Sequence, residues 1–154
     1  MDISAKTDYA VRALLTLAAA QRAGDIRVAA ETLAEEQQLP RKFLEAILAD
    51  LRRAGLVSSI RGAAGGYRLA RPAGEIHLGA VFRAVDGPLA EVRGLRPHET
   101  TYTGAAQHLP TVWVAVRASL RRVLDEISLD DVLSGKLPTH VRRLLSAEDA
   151  WASR

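Results

Sequence analysis

The chain has 154 residues, 48% of them hydrophobic and 25% charged, with a net charge of +3 and no cysteine. That is enough apolar material for one packed domain with an added interaction element, and the missing thiols exclude disulfides, thiolate metal sites and cysteine-held iron-sulfur clusters. No apolar run is long enough to span a bilayer. The opening stretch, interrupted by Asp2, Asp8, Arg12 and Thr16, does not read as a signal peptide, so the expectation is a soluble cytoplasmic protein.

Ser4 is placed to cap a first helix that carries an apolar stripe of Ala10, Val11, Leu14, Leu15, Leu17 and Ala18 to about Ala20. Gly24 and Asp25 end it. A shorter helix is predicted from Val28 to Gln38, with Ala30, Leu33 and Ala34 inward. A tight connection through Leu39 then leads to Pro40, which suits a first helical position, and Gly55 suits the position just past the helix end. Within that third helix Leu44, Ile47, Leu48 and Leu51 recur at helical spacing, leaving Arg41, Lys42, Glu45, Ala46 and Ala49 on or near the outer face. Small residues on an outer face let a helix approach base edges in a major groove.

Two strands, Leu56 to Arg61 and Tyr67 to Arg71, flank the glycine-rich Gly62 to Gly66. Between Pro40 and Pro72, seven Arg or Lys stand against Glu45 and Asp50, a local balance of +5, larger than that of the whole chain. The glycines are not a phosphate-cradling loop, because no Gly-Lys-Ser/Thr follows and the order is strand to strand. Three helices followed by a hairpin is the order of a winged helix-turn-helix. The predicted fold class is therefore mainly α with a small β-hairpin, a winged helix-turn-helix joined to a long dimerisation helix.

A short helix from Leu78 to Val85 turns its Val81, Phe82 and Val85 inward and ends at Asp86, Gly87 and Pro88. The polar stretch Glu91 to His108 has no clear periodicity. His98 and His108 there, with Glu91 and Glu99, read as solvated loop residues, since their spacing fits no compact ligand motif; no metal and no cofactor are assigned. Leu109, Trp113, Val116, Leu120, Val123 and Ile127 then follow at spacings of 4, 3, 4, 3 and 4, a heptad seam that predicts pairing with a second copy. Ser128 is placed to cap a short helix carrying Leu129, Val132 and Leu133, and His140 to Trp151 is a candidate last helix. The expected units are 1–75, DNA-binding; 76–108, short helix and sensor-type loop; 109–127, dimerisation helix; and 128–154, C-terminal tail.

The runs KTDYAVRALLTLA, FLEAILADLRRAGLVSSIRG, GGYRLARP and AVDGPL, spread over roughly residues 3 to 135, resemble the Rrf2 family of bacterial transcription regulators. The resemblance implies a homodimeric repressor or activator binding double-stranded DNA at a partly palindromic operator. By position, Arg41, Lys42 and Glu45 would face the major groove and Arg61 the minor groove. Lys6, Tyr9 and Tyr67 would lie near the DNA backbone, with Arg68 also counted in the interface. Glu45 has two readings, an acceptor for a cytosine amino group or an ion-pair partner of Lys42 or Arg52. Thr7 stands where the family often has glycine, and Pro40, Arg41 and Lys42 replace its short polar residues, so operators of relatives do not transfer. The loop that supplies three cysteines in cluster-binding relatives has none here.

The reading that results is a cluster-free, nucleoid-associated regulator, most simply a repressor, responding to an unidentified small-molecule or protein effector. The alternative is a winged-helix module docking an acidic protein. Enzyme chemistry lacks a nucleophile motif, and His77, His98, His108 and His140 are scattered.

Overall fold

Ser4 opens the first helix, α1 (Ala5–Arg22), by accepting a hydrogen bond from the Thr7 backbone N–H on its hydroxyl. The computed structural model describes residues 2–25 and 27–152. Met1, Ser153 and Arg154, at the edges of the expected outer units, lie outside them. The further helices are α2 (Ala30–Gln37), α3 (Arg41–Arg53), α4 (Leu78–Val85), α5 (Leu109–Leu124), α6 (Leu129–Ser134) and α7 (Thr139–Leu145). Strands β1 (Val57–Ile60) and β2 (Gly66–Leu69) pair antiparallel, with Val57 opposite Leu69 and Ser59 opposite Tyr67. None of the described helices is long and apolar enough to cross a membrane.

One core joins these elements. Ala10, Ala13, Leu14 and Leu17 of α1 meet Leu33 of α2 and Leu44, Ile47, Leu48 and Leu51 of α3, and the core continues into Leu56, Leu69, Ile76, Val81 and Leu129. Each large aliphatic side chain buried there contributes about 1.5–3 kcal/mol. The inner face of α3 is the one its spacing predicts, with Leu44, Ile47, Leu48 and Leu51 buried.

The turn between α2 and α3 has no glycine, and Gln38 takes the left-handed conformation instead, at φ 52° and ψ 47°. Leu39 is thereby buried and its N–H reaches the Ala34 carbonyl at 2.9 Å. Pro40 sits one position earlier than expected: it is the cap, and its carbonyl accepts from Phe43 and Leu44.

α2 begins at Ala30, not at Val28. Val28 instead forms a bridge to Tyr67 of β2, each backbone N–H reaching the other's carbonyl at 2.8 Å. The hairpin is thus held on its outer side by a one-residue bridge, and a Cβ on Gly66 would stand 2.7 Å from the Val28 carbonyl oxygen, which is why glycine is needed there.

α4 has the predicted bounds. α5 ends at Leu124, short of the predicted Ile127, and has no fully buried residue. Beyond it the chain pairs with the segment before α4: Leu78 N–H reaches the Ile127 carbonyl and Leu129 N–H the Ile76 carbonyl, both at 2.9 Å. Ile127 is 6% exposed. It is a core residue of the protomer, which corrects its assignment to the dimer seam; the 4-3-4 spacing runs on past the helix by coincidence.

Ser128 caps α6 as expected. Its backbone N–H and hydroxyl both donate to the Asp131 carboxylate, at 2.8 and 2.7 Å. Leu129 places this helix against α1, where Arg22 pairs with Asp130 at 2.8 Å. The last helix is shorter than predicted, and Trp151 lies in the turn beyond it, 79% exposed.

Candidate nucleic-acid interface

The outer face of α3 and the hairpin after it form one basic surface. Arg41, Lys42, Glu45 and Ala46 are exposed and Ala49 is half-buried. Arg41 is tied on two sides, to Glu45 one turn on at 2.9 Å and to Glu31 of α2 at 2.5 Å. Its hydrogen bond to Glu45, then the charge of Glu31, hold its guanidinium above its ordinary value. The partner of Glu45 is thus Arg41, not Lys42 or Arg52. Glu31, which sequence spacing does not connect to α3, steadies the same arginine across the turn.

Tyr9 reaches this end of α3 from α1. Its ring meets Phe43 edge-on at 5.8 Å between centroids, and Arg12 stacks over it at 5.3 Å. Lys6 lies where α1 meets α3 and α4. Its ammonium donates to Asp50 at 2.7 Å and to the Val85 carbonyl at 3.4 Å, inside the joint of α1, α3 and α4. Ser4 and Thr7 hydroxyls donate to Asp86 in the same joint, at 2.6 and 2.7 Å. The Asp of the AVDGPL run and Asp50 are the residues that sequence reasoning missed; a carboxylate at the end of each of two helices was the available signal.

On the hairpin, Arg61 is exposed at the end of β1, followed by Gly62 with φ 106°. Arg68 donates to Ser58 across the ladder at 3.2 Å, and Arg52 of α3 donates to Ser59 at 3.3 Å. The Tyr67 backbone is held by Val28 on one side and β1 on the other. Among the described residues, Lys42, Arg52, Arg61, Arg68 and Arg71 have no carboxylate partner. Five uncompensated cations on adjoining elements make a surface suited to a polyanion.

The expected pairing face on α5 lies apart from this surface. Val116, Leu120 and Val123 line an apolar groove of about 850 Å³ with Phe82, Pro88 and Val112, the last of which is 51% exposed. Leu109 is half-buried at the helix start. Trp113 is also half-buried, and its indole N–H has no acceptor among the described residues. In the loop, His98 lies 3.2 Å from Arg117 and 4.0 Å from Glu99, while His108 is exposed before α5.

The Rrf2 family profile, described as an iron-dependent transcriptional regulator, matches residues 3–135. The chain is similar to the HTH-type regulator Rv1287 of Mycobacterium tuberculosis, 48% identical over 144 residues, 94% of this chain and 88% of that protein. It is also similar to CymR of Bacillus subtilis, 34% identical over 134 residues, 87% and 91% of the two chains. The solved structure of that CymR, called the global cysteine regulator, matches with TM-score 0.73 at 30% identity over 88% of this chain and 98% of its own. IscR of T. potens matches with TM-score 0.67 at 33% identity over 100% and 93%.

Iron held by cysteine does not fit this chain, which has no thiol. Among the described residues, no three His, Asp or Glu side chains are gathered to hold a metal ion. What the profile, the relatives and the helix-turn-helix with its wing establish together is that the chain belongs to the Rrf2 family of winged-helix transcriptional regulators and is not an enzyme.

Proposed function

We propose that this regulator is a homodimeric repressor that binds a partly palindromic DNA operator without an iron-sulfur cluster. The observation that carries the reading is the run of uncompensated cations from α3 into the hairpin, beside an α3 face of small residues. In this reading Arg41, Lys42 and Glu45 enter the major groove, with Glu31 and Glu45 presenting the Arg41 guanidinium in one orientation. Arg61 enters the minor groove, where a narrow, strongly negative groove favours an arginine. Tyr9, Tyr67 and Arg68 contact the backbone, and Lys6 acts from behind by fixing α1 against α3.

A second copy covers the apolar groove. Leu109, Trp113, Val116, Leu120 and Val123 supply the seam. Two-fold pairing sets the two α3 helices about one turn of DNA, or a multiple, apart. The protein works in the cytoplasm, at the nucleoid.

The test is to incubate the purified protein with fragmented host DNA at about 0.15 M salt, near the physiological ionic strength, and sequence what is retained. A shared inverted repeat supports the reading. Retention with no common sequence, or no retention, means either that an effector is required or that the wing serves another partner.

A further inference from the structure

A second charged feature lies away from the DNA-facing surface. A cavity of about 510 Å³ opens between α4, α5 and the turn Pro97–Glu99, and four arginines line it: Arg83, Arg96, Arg117 and Arg121. Only two carboxylates, Glu91 and Asp125, stand on its walls. Asp125 is shared, taking Arg83 at 2.8 Å and Arg121 at 3.2 Å. Burial pushes its carboxyl up, but the two guanidiniums outweigh that and hold it below the ordinary carboxylate value.

The other two arginines are uncompensated. Arg117 has only His98 Nδ1, at 3.2 Å, and since an arginine can only donate, that nitrogen is the acceptor and the ring proton of this arrangement sits on Nε2, 4.0 Å from the Glu99 carboxylate. The Arg96 guanidinium has no partner among the described residues, although its backbone N–H donates to Glu99 at 2.9 Å. The wall is preformed. Pro97 and Thr100 are buried, and the Thr100 hydroxyl closes the turn on the Pro97 carbonyl at 2.7 Å.

The cavity shares no residue with α2, α3 or the hairpin, so the DNA surface does not account for it. Nor does the apolar groove, which takes the neighbouring stripe of α5 through Val116, Leu120 and Val123. Guanidiniums offer paired donors that match the oxygens of a carboxylate or phosphate. A singly charged anion would leave the excess unanswered.

We propose that this cavity is an effector site whose ligand is a small organic anion carrying two or more negative charges on carboxylate or phosphate groups. The effector role rests on the reading of the chain as a DNA-binding regulator; the binding does not. A ligand oxygen that competes with Asp125 for Arg83 acts on α4. The end of α4 holds Lys6 through the Val85 carbonyl, and Lys6 holds α3 through Asp50.

The test is calorimetric titration of the full chain with citrate, with pyrophosphate and, as control, with acetate. At about 0.15 M salt, citrate or pyrophosphate should bind with a dissociation constant below about 1 mM while acetate gives no heat. Which of the two binds tells a carboxylate ligand from a phosphate one. The double change Arg96→Gln with Arg117→Gln should weaken binding about tenfold or more, and Arg61→Ala should leave it unchanged. If the double variant does not fold, Glu91→Gln, which removes a negative charge from the same wall, should tighten binding about twofold or more.

No binding of either anion overturns the site. So does binding that is lost in Arg61→Ala and kept in the double variant, because the DNA surface is then the captor. Saturating ligand should change operator affinity about threefold or more, and an unchanged affinity overturns the effector role. Calorimetry needs no DNA, so failure to find an operator is distinguishable from failure of the site.

Discussion

Lys6 near the start of α1 donates to Asp50 near the end of α3 over 2.7 Å, and the same carboxylate takes Arg53 at 2.8 Å. The Asp50 side chain is 18% exposed and that of Lys6 34%. Asp50→Asn leaves both cations facing a neutral amide at the joint of three helices. Because solvent screens this pair in part, the loss of unfolding free energy should be about 1 kcal/mol. Urea unfolding reads it; an unchanged midpoint would show that the pair holds nothing together.

Acid should act through the same group and two others. Asp50 lies below the ordinary carboxylate value chiefly through its bond to Lys6, and Asp131 through the Ser128 hydroxyl and N–H. Asp125 lies below it because its two arginines outweigh burial. A folded value below the unfolded one means that the unfolded chain takes up protons first. The stabilisation is complete above the unfolded value of about 3.9 and is lost as pH falls from there through the folded values. The urea midpoint should therefore hold steady from neutral pH to about 5 and drop below about 4, and Asp50→Asn should make the drop shallower. A midpoint as high in strong acid as at neutrality would remove these carboxylates from the account.

Arg61 carries a separate expectation. Arg61→Ala should weaken operator binding and flatten its dependence on log salt by about one unit of slope, the share of one phosphate contact. Lys6→Met should change that slope less, because its ammonium is already bonded to Asp50. Measuring Kd across a salt series separates the two; equal slopes for wild type and Arg61→Ala would take Arg61 out of the interface.

Leu120 and Ile127 share one spacing pattern but should respond differently. Leu120→Glu puts a charge in the apolar groove on α5 and should yield folded monomers that bind the operator poorly. Ile127→Ala removes a core side chain and should cost about 2–5 kcal/mol in the protomer while leaving the oligomeric state intact. Sedimentation together with thermal melting distinguishes the cases. A fully dimeric Leu120→Glu protein would place the seam elsewhere.

The turn before α3 offers a stabilising change. Gln38 is left-handed, a conformation that costs a side-chain-bearing residue about 1–2 kcal/mol and costs glycine little. Part of that gain is offset by the greater freedom of glycine in the unfolded chain, so Gln38→Gly should stabilise by up to about 1 kcal/mol. A lower melting temperature would mean that the Gln38 side chain contributes contacts of its own.

Periodicity made the inner face of α3 and the bounds of α4 legible, because both depend on neighbours three and four residues apart along one helix. The hairpin was legible for a similar reason: its glycines and alternating strands are local. What was not legible depends on distant parts of the chain meeting. Val28 looks like a helix start until Tyr67 lies beside it, and Ile127 looks like a seam residue until the segment before α4 draws it inward. Arg41 showed its charge in the sequence but not its partner Glu31, which only the turn through Gln38 brings near.

The bridge from Val28 to Tyr67 bears on the DNA contact proposed for the wing. A lone two-stranded hairpin is marginal in water, and one that orders only on contact must give up its freedom at that moment, which subtracts from affinity. Here part of that freedom is already lost when the chain folds, since the Val28 bridge fixes β2 from its outer side. The bridge lies one residue from the Gly66–Ile60 pair that precedes Arg61. In the proposed complex, Val28 on the far side of β2 would affect affinity without touching a nucleotide.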